Sequence, residues 1–316
     1  MADYMKNQGW TSPRLYYYAE YGTRDDYGTS LACTSAWAGL HYFSCRDGGG
    51  FTPKDAQFVW PEGNQRLAQH LIDKVGPARI SSGFLVSKIQ VDKSGVLIDL
   101  IDAETGEAQG WIADRAICAM PTFQRPYLLG GDARPGFTYA PWVVANLVVD
   151  SLPRNLPNRS RAKLCWDNVI YGSPSLGYVV ATHQDVSTGD HQSVLTWYRP
   201  FIGEDPRKER QAILDRDWKS WRDEIVGELS PIHPGIESTI RRLDVMLLGH
   251  AMIRPATNFM WSEERMAAAL PHPPLFFAHS DLSGLSIFEH ANYHGVRAAQ
   301  ELMADMKHEF RDSLRA

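Results

Sequence analysis

Residues 274–303 read PLFFAHSDLSGLSIFEHANYHGVRAAQELM. An apolar, strand-like run leads into a polar turn with Ser280, Asp281, Ser283 and Gly284, and a helical pattern comes next. A strand that feeds a helix in this way aims free backbone N–H groups and a carboxylate at one point. Asp281 is placed to accept hydrogen bonds from a sugar-like hydroxyl. The helix beginning near Ser286 or Ile287 carries roughly half a positive charge at its N-terminus, which stabilises a phosphate or a reduced flavin ring. Asp281 and Ser283 acting only as helix caps is the competing reading of the same residues.

Other chemistries find less support. His290 and His294 stand four apart beside Glu289, so both could face one ion, but HExxH order and a third ligand are missing and no metal is expected. Ser280 lies between His279 and Asp281 only in sequence, and there is no GxSxG elbow. Neither GxGxxG after a strand nor GxxxxGK[ST] occurs. Asp47-Gly48-Gly49-Gly50 and Gly130-Gly131 are in loop contexts.

The elements that would position Asp281 can be read from periodicity. Residues 12–22 predict a helix with Ser12 as its cap and Pro13 at its first position. Trp60-Pro61-Glu62-Gly63-Asn64 is a turn, and QRLAQHLIDKVG has apolar residues at helical spacing. FLVSKIQV and GVLIDLIDA form a hairpin across Asp92-Lys93-Ser94-Gly95, and WIADRAICAMP is one further strand stopped by Pro121. WVVANLVV, KLCWDNVI, GYVVATHQ and SVLTWYR predict an antiparallel sheet, RKERQAILDRDWKSWRDEIVGEL one amphipathic helix and RRLDVMLLGHAM another strand. The final helix runs over about 286–310. This is an α/β chain, divided as an opening segment (1–50), the first part of a module (51–135), an inserted sheet-plus-helix region (136–270) and the module's closing strand and helix (271–316); the resemblance named below makes the module the cofactor part and the insertion, with the opening segment, the substrate side.

Composition sets outer bounds. The chain has 316 residues, enough for a large core, and a net charge of −5 with no long basic run. That argues against nucleic acid as a partner. No apolar stretch approaches the ~18 residues that span a bilayer. MADYMKNQGW lacks the order of a secretory signal, so a cytoplasmic location is expected. Cys33, Cys45, Cys118 and Cys165 are far apart and predict neither a disulfide nor a zinc centre. Among the ten Trp and thirteen Tyr, Trp142, Trp166, Tyr171, Trp197 and Trp261 are candidates for a substrate pocket, with a core role for each standing beside it.

The C-terminal segment resembles the flavin-binding end of the FAD-dependent amine oxidase and phytoene desaturase superfamily. Phe277-Ala278 and Asp281 match its strand and acid, Glu289 and Ala291 its Glu-Gly-Ala, and Gly295, Ala298 and Ala299 its helix. Trp60-Pro61-Glu62-Gly63 resembles the turn before the adenosine-side hairpin, and Ile117-Cys118-Ala119-Met120-Pro121 the strand ending beside the flavin. The resemblance covers about 50–130 and 270–310. It implies a Rossmann-like FAD-binding module and hydride removal from a C–N or C–H bond of a small-molecule substrate. It also implies that Asp281 holds the ribityl chain, that backbone from Phe288 to Ala291 faces the pyrimidine edge, that Pro121 flanks the ring and that Val86 offers backbone to adenine. The family's N-terminal GxGxxG unit is expected before residue 1, in the same polypeptide or in a separate chain or domain. His290 replaces the usual Gly, 142–149 has no counterpart of the family's Lys near flavin N5, and Ile287 stands where Tyr is common. A substrate other than an amine is therefore equally implied. The other class of function is a non-catalytic binding or assembly module that does not retain FAD.

Overall fold

The computed structural model describes residues 1–45, 60–153, 164–184 and 192–314. The Gly-rich break at 48–50 and the start of KLCWDNVI lie outside them. Along the chain come helices α1 (Ala2–Asn7), α2 (Pro13–Tyr27), α3 (Ala36–Ser44) and α4 (Gln65–Val75). Strands β1 (Phe84–Asp92), β2 (Gly95–Asp102), β3 (Ala108–Ala113) and β4 (Ala116–Cys118) come next, then α5 (Arg125–Leu129). After these are β5 (Tyr139–Val149), β6 (Asp167–Asn168), β7 (Tyr178–Val180) and β8 (Ser193–Pro200), then α6 (Pro206–Leu214) and α7 (Trp218–Leu229). β9 (Ile240–Ile253), α8 (Glu263–Ala268), β10 (Leu275–Phe277) and α9 (Phe288–Asp305) complete the order. The chain divides into two compact units, Met1–Gly63 with Tyr139–Met252, and Asn64–Thr138 with Ile253–Ala316.

The first unit is built on a five-stranded sheet in the order β6-β7-β8-β5-β9. Alternation along β5 sends Val143, Ala145, Leu147 and Val149 to one face, where they form a core with Trp197 of β8, Ile213 of α6, and Trp221, Ile225 and Leu229 of α7. The stretch expected as a single long helix is α6 and α7, because Asp217 leaves helical geometry and accepts the Ser220 N–H at 2.8 Å as the cap of a new helix. Of KLCWDNVI only Asp167–Asn168 is strand. α2 runs past residue 22 to Tyr27 and ends at Gly28, whose φ is +59°. Ser12 precedes it without a side-chain capping bond.

The second unit holds two sheets. β1, β2 and β3 form an antiparallel meander, with the turn at Asp92–Gly95 held by the Asp92 carboxylate on the Ser94 N–H at 2.6 Å. WIADRAICAMP is not one strand. Ala108–Ala113 pairs antiparallel with β2, whereas Ala116–Cys118 pairs parallel with β10. The change of sheet takes place at Asp114–Arg115, and Arg115 forms an ion pair with Asp305 at the end of α9. α9 packs Ala298 and Leu302 on Phe276 and Ala278. Beyond the elements expected from sequence, α1, α3, α5 and α8 are short helices of five to nine residues.

Gly28 tests the first unit. A Cβ there would lie 2.6 Å from both Ala140 Cβ and Trp142 Nε1, in a left-handed backbone conformation. Gly28→Ala therefore lowers stability by roughly 3 kcal/mol, combining the left-handed cost with overpacking; urea denaturation checks this, and a loss under about 1 kcal/mol contradicts it.

Candidate functional site

β4 and β10 are three-residue strands running parallel, with Phe276 opposite Ile117 and Phe277 opposite Cys118. Parallel strands deliver their outgoing loops to the same end. Beyond β4 comes Pro121-Thr122, and beyond β10 the Ser280–Ser283 turn. Asp281 is 1% exposed, and its Oδ2 accepts the Thr122 N–H at 2.8 Å across 159 residues of sequence. The Ala278 N–H donates to the Cys118 carbonyl at 3.1 Å and extends the pairing. His279 Nδ1 accepts the Asp281 N–H at 3.1 Å and also lies 3.1 Å from Asp281 Oδ1. One nitrogen cannot accept and donate through the same position. With Nδ1 accepting the amide, the ring N–H lies on Nε2.

α9 begins directly after this turn. Ile287 is its N-cap and supplies no side-chain acceptor, so amides of the first turn have no capping side chain. Ser286 Oγ accepts the Ile253 N–H at 2.9 Å, which fixes the entry into the helix. Phe288 is half-buried, while Glu289 and Ala291 are exposed. Val86 lies on β1, at the edge of its sheet, and a bulge at Ser87 separates its pairing with Leu100 from that of Lys88 with Asp99. An edge strand leaves alternate backbone groups for an outside partner.

Three arginines without a motif of their own hold the turn and helix. Arg297 donates Nη2 to the Phe277 carbonyl at 2.7 Å, Nη1 to Ala269 at 3.0 Å and Nε to His294 Nδ1 at 3.1 Å. Arg265 donates to the carbonyls of Met260 and Leu282. Arg125 donates to the Ala268 carbonyl at 2.8 Å and lies over Phe277, 4.3 Å from the ring centre. Sequence reasoning missed all three. Arg297 had a signal, since it falls three residues after His294 on one helix face. The carbonyls that these residues reach have none.

His294 is buried, with Nε2 2.8 Å from Ser283 Oγ. Because Nδ1 accepts from Arg297, the neutral ring carries its proton on Nε2 and donates it to Ser283. Burial foremost, then the charges of Arg297 and neighbouring groups, lower its pKa to about 3. Both ring nitrogens are thus engaged within the protein, and no group of three or more metal-ligating side chains occurs among the described residues.

The four aromatic candidates of the first unit do not share one wall. Trp197 is fully buried in the sheet–helix core with its indole N–H on Glu228 at 3.2 Å, so it is a core residue and not a pocket residue. Trp142 projects from the opposite face of the sheet and is nearly parallel to Tyr198, with ring centres 6.4 Å apart. Trp166 is near His183, and Tyr171 is 74% exposed against Tyr17. Trp261 belongs to the second unit and is 61% exposed. The Trp142 face is half-open, with Val144, Asn146 and Tyr198 partly exposed. There Asp167 accepts the Tyr198 hydroxyl at 3.1 Å and the Tyr21 hydroxyl at 3.4 Å, and burial raises its pKa.

No protein-family model matches the chain, and comparison with curated proteins finds no match. Solved structures do match. Cyclohexylamine oxidase from Brevibacterium oxydans IH-35A superposes with a TM-score of 0.60 at 13% identity, over 94% of this chain and 66% of that one. A putrescine oxidase bound to putrescine gives a TM-score of 0.60 at 13% identity, over 96% of this chain and 67% of that one. The chain shares the fold of these two oxidase structures and spans about two thirds of their length.

The His294 linkage has a definite sign. Its folded pKa of about 3 lies below the 6.5 of the free group, so the unfolded chain binds the proton first as pH falls. This contribution is intact above about pH 6.5 and is lost progressively down to about pH 3. The stability difference between the native chain and His294→Gln shrinks by about 1–2 kcal/mol between pH 7 and pH 5. Urea midpoints at the two pH values test it, and parallel pH profiles contradict it.

Proposed function

We propose that this chain forms the flavin-facing part of an FAD-dependent oxidoreductase of the amine oxidase kind, which removes a hydride from a C–N or C–H bond of a small organic substrate. The observation that carries the reading is the convergence of the Pro121-Thr122 turn, buried Asp281 and the uncapped start of α9 at the carboxyl ends of two parallel strands. Ligands of parallel α/β sheets sit at such ends.

The residues present suit the cofactor. A carboxylate offers about four lone-pair sites, so Asp281 can hold Thr122 and still accept from a ribityl hydroxyl. The first-turn amides from Phe288 to Ala291 stabilise negative charge on the pyrimidine edge. Val86 presents edge-strand backbone to adenine, and Pro121 fixes the turn beside the ring. FAD held by these residues would supply a hydride acceptor that oxygen or another acceptor could reoxidise. In the first unit, the half-open sheet face with Trp142 and Tyr198 is the candidate surface for an apolar part of a substrate.

A dinucleotide-binding unit, in another domain or another chain, completes the pyrophosphate end in this reading. Two features of the second unit support a missing neighbour. Among the described residues no third strand joins β4 and β10, and parallel pairs are ordinarily parts of larger, covered sheets. α4 carries Leu67, Leu71, Ile72 and Val75 at helical spacing, yet none of its residues is buried. The alternative is a binding or assembly module that does not retain FAD.

Absorbance near about 450 nm, a property of the flavin itself, separates the two. The redox reading expects the purified chain to carry or take up FAD, and Asp281→Ala to weaken uptake roughly tenfold or more. A colourless chain that fails to bind added FAD overturns it for this chain, and unchanged binding by Asp281→Ala removes the ribityl assignment.

A further inference from the structure

The turn that leaves β10 carries a carboxylate and an imidazole, and the two differ in access. The Asp281 side chain is 2% exposed and that of His279 26%. A ligand at the strand ends therefore has more of the ring than of the carboxylate to touch. The redox reading gives His279 no task.

The ring is held in one orientation. His279 is the N-cap of the Ser280–Ser283 turn, and its Nδ1 accepts the Asp281 N–H at 3.1 Å. Asp281 is fixed in turn by the Thr122 N–H at 2.8 Å, so the cap rests on the bond that joins the two strand exits. An imidazole whose Nδ1 accepts carries its hydrogen on Nε2, at the edge of the ring facing away from that contact. Among the described residues nothing accepts from Nε2, and the atom is open to solvent.

A fixed outward donor beside a carboxylate offers both senses of hydrogen bond. A hydroxyl donates and accepts at once, and so suits this pair. A phosphate suits it less, because the acid repels it. Arg265 and Arg297 direct donors to the carbonyls of Leu282, Phe277 and Ala269 instead.

We propose that His279 is a further polar contact for the ribityl chain of a bound flavin, its Nε2–H donating to a ribityl hydroxyl beside Asp281. The proposal rests on the redox reading and adds to it a residue that holds the sugar-alcohol segment of the cofactor.

Titration of the full chain with riboflavin, lumiflavin and FAD, followed by flavin fluorescence, tests it. Lumiflavin has the same ring system with a methyl group in place of the ribityl chain, and the native chain is expected to prefer riboflavin. His279→Asn sets an amide oxygen where Nδ1 accepts and keeps the cap, but has no donor at the Nε2 position. His279→Gln reaches the Nε2 position with an amide N–H and gives up the cap. In His279→Asn, affinity for riboflavin and FAD is expected to fall roughly fivefold, the contribution of one neutral hydrogen bond, with lumiflavin unchanged within about twofold. His279→Gln is expected to retain the preference for riboflavin. A residue that only caps the turn gives the reverse order, and that result overturns the proposal, as does a native chain indifferent between riboflavin and lumiflavin. If near-ultraviolet circular dichroism shows one variant unfolded, the other variant and the native series decide. A native chain that binds flavin while His279→Asn matches it sinks this inference alone. A native chain that binds none of the three compounds removes the redox reading with it.

Discussion

A single buried hydrogen bond, from the Thr122 amide to Asp281 Oδ2 at 2.8 Å, governs the geometry of the second unit's candidate site. Three-residue strands have few ladder bonds with which to resist slippage, and a one-residue shift would turn every side chain to the other face. The charged acceptor makes this bond stronger than a backbone ladder bond. It fixes the two strand exits against each other just where they leave the sheet. Burial strengthens the constraint, since losing the amide would leave a carboxylate in a poor environment for unpaired charge. The acid that marks the resemblance to flavoenzymes therefore has structural work in the protein itself, and any ligand would meet a carboxylate whose position is already set.

Around that bond the unit uses arginines as struts. Arg297, Arg265 and Arg125 reach the carbonyls of Phe277, Ala269, Met260, Leu282 and Ala268. Irregular connections between short elements carry many carbonyls that no ladder satisfies, and guanidinium groups with five donors suit that need. The neutral His294 between Arg297 and Ser283 belongs to the same arrangement. Its neutrality comes from burial beside a permanent cation, which makes a second positive charge costly. The start of α9 is thereby placed by side chains along the helix, leaving its first turn without a cap.

Much of this was legible from periodicity and turn chemistry. α4, the β1–β2 hairpin, β5, β8, β9 and α9 each present one long, consistent pattern with clear stops. Legibility failed where a pattern ran unbroken through a change of partner. WIADRAICAMP alternates acceptably throughout, yet its halves pair with strands on opposite sides of it in sequence. The α6–α7 stretch stays amphipathic across Asp215–Asp217, and only the capping role of Asp217 divides it. Short helices such as α5 left faint traces, Pro126 near its start and Gly130 beyond its end. At the site, Asp281 and Pro121 stood out by type and order. Thr122 and Arg125 did not, because their significance lies in contacts spanning more than a hundred residues of sequence. Trp197 shows the opposite error. Residue type makes a tryptophan attractive for a pocket, whereas strand parity assigns it to the core.

The apolar stripe on α4, at most half-buried among the described residues, carries a thermodynamic consequence. An 11-residue helix is marginal in water when propensity alone supports it. With Leu67 and Ile72 half-buried and Leu71 and Val75 exposed, α4 draws little stability from the described residues of its unit. Whatever covers it would order the helix in the act of docking, so part of the association free energy is consumed in that ordering. Such a contact would be weaker than its buried area implies, and correspondingly easy to reverse.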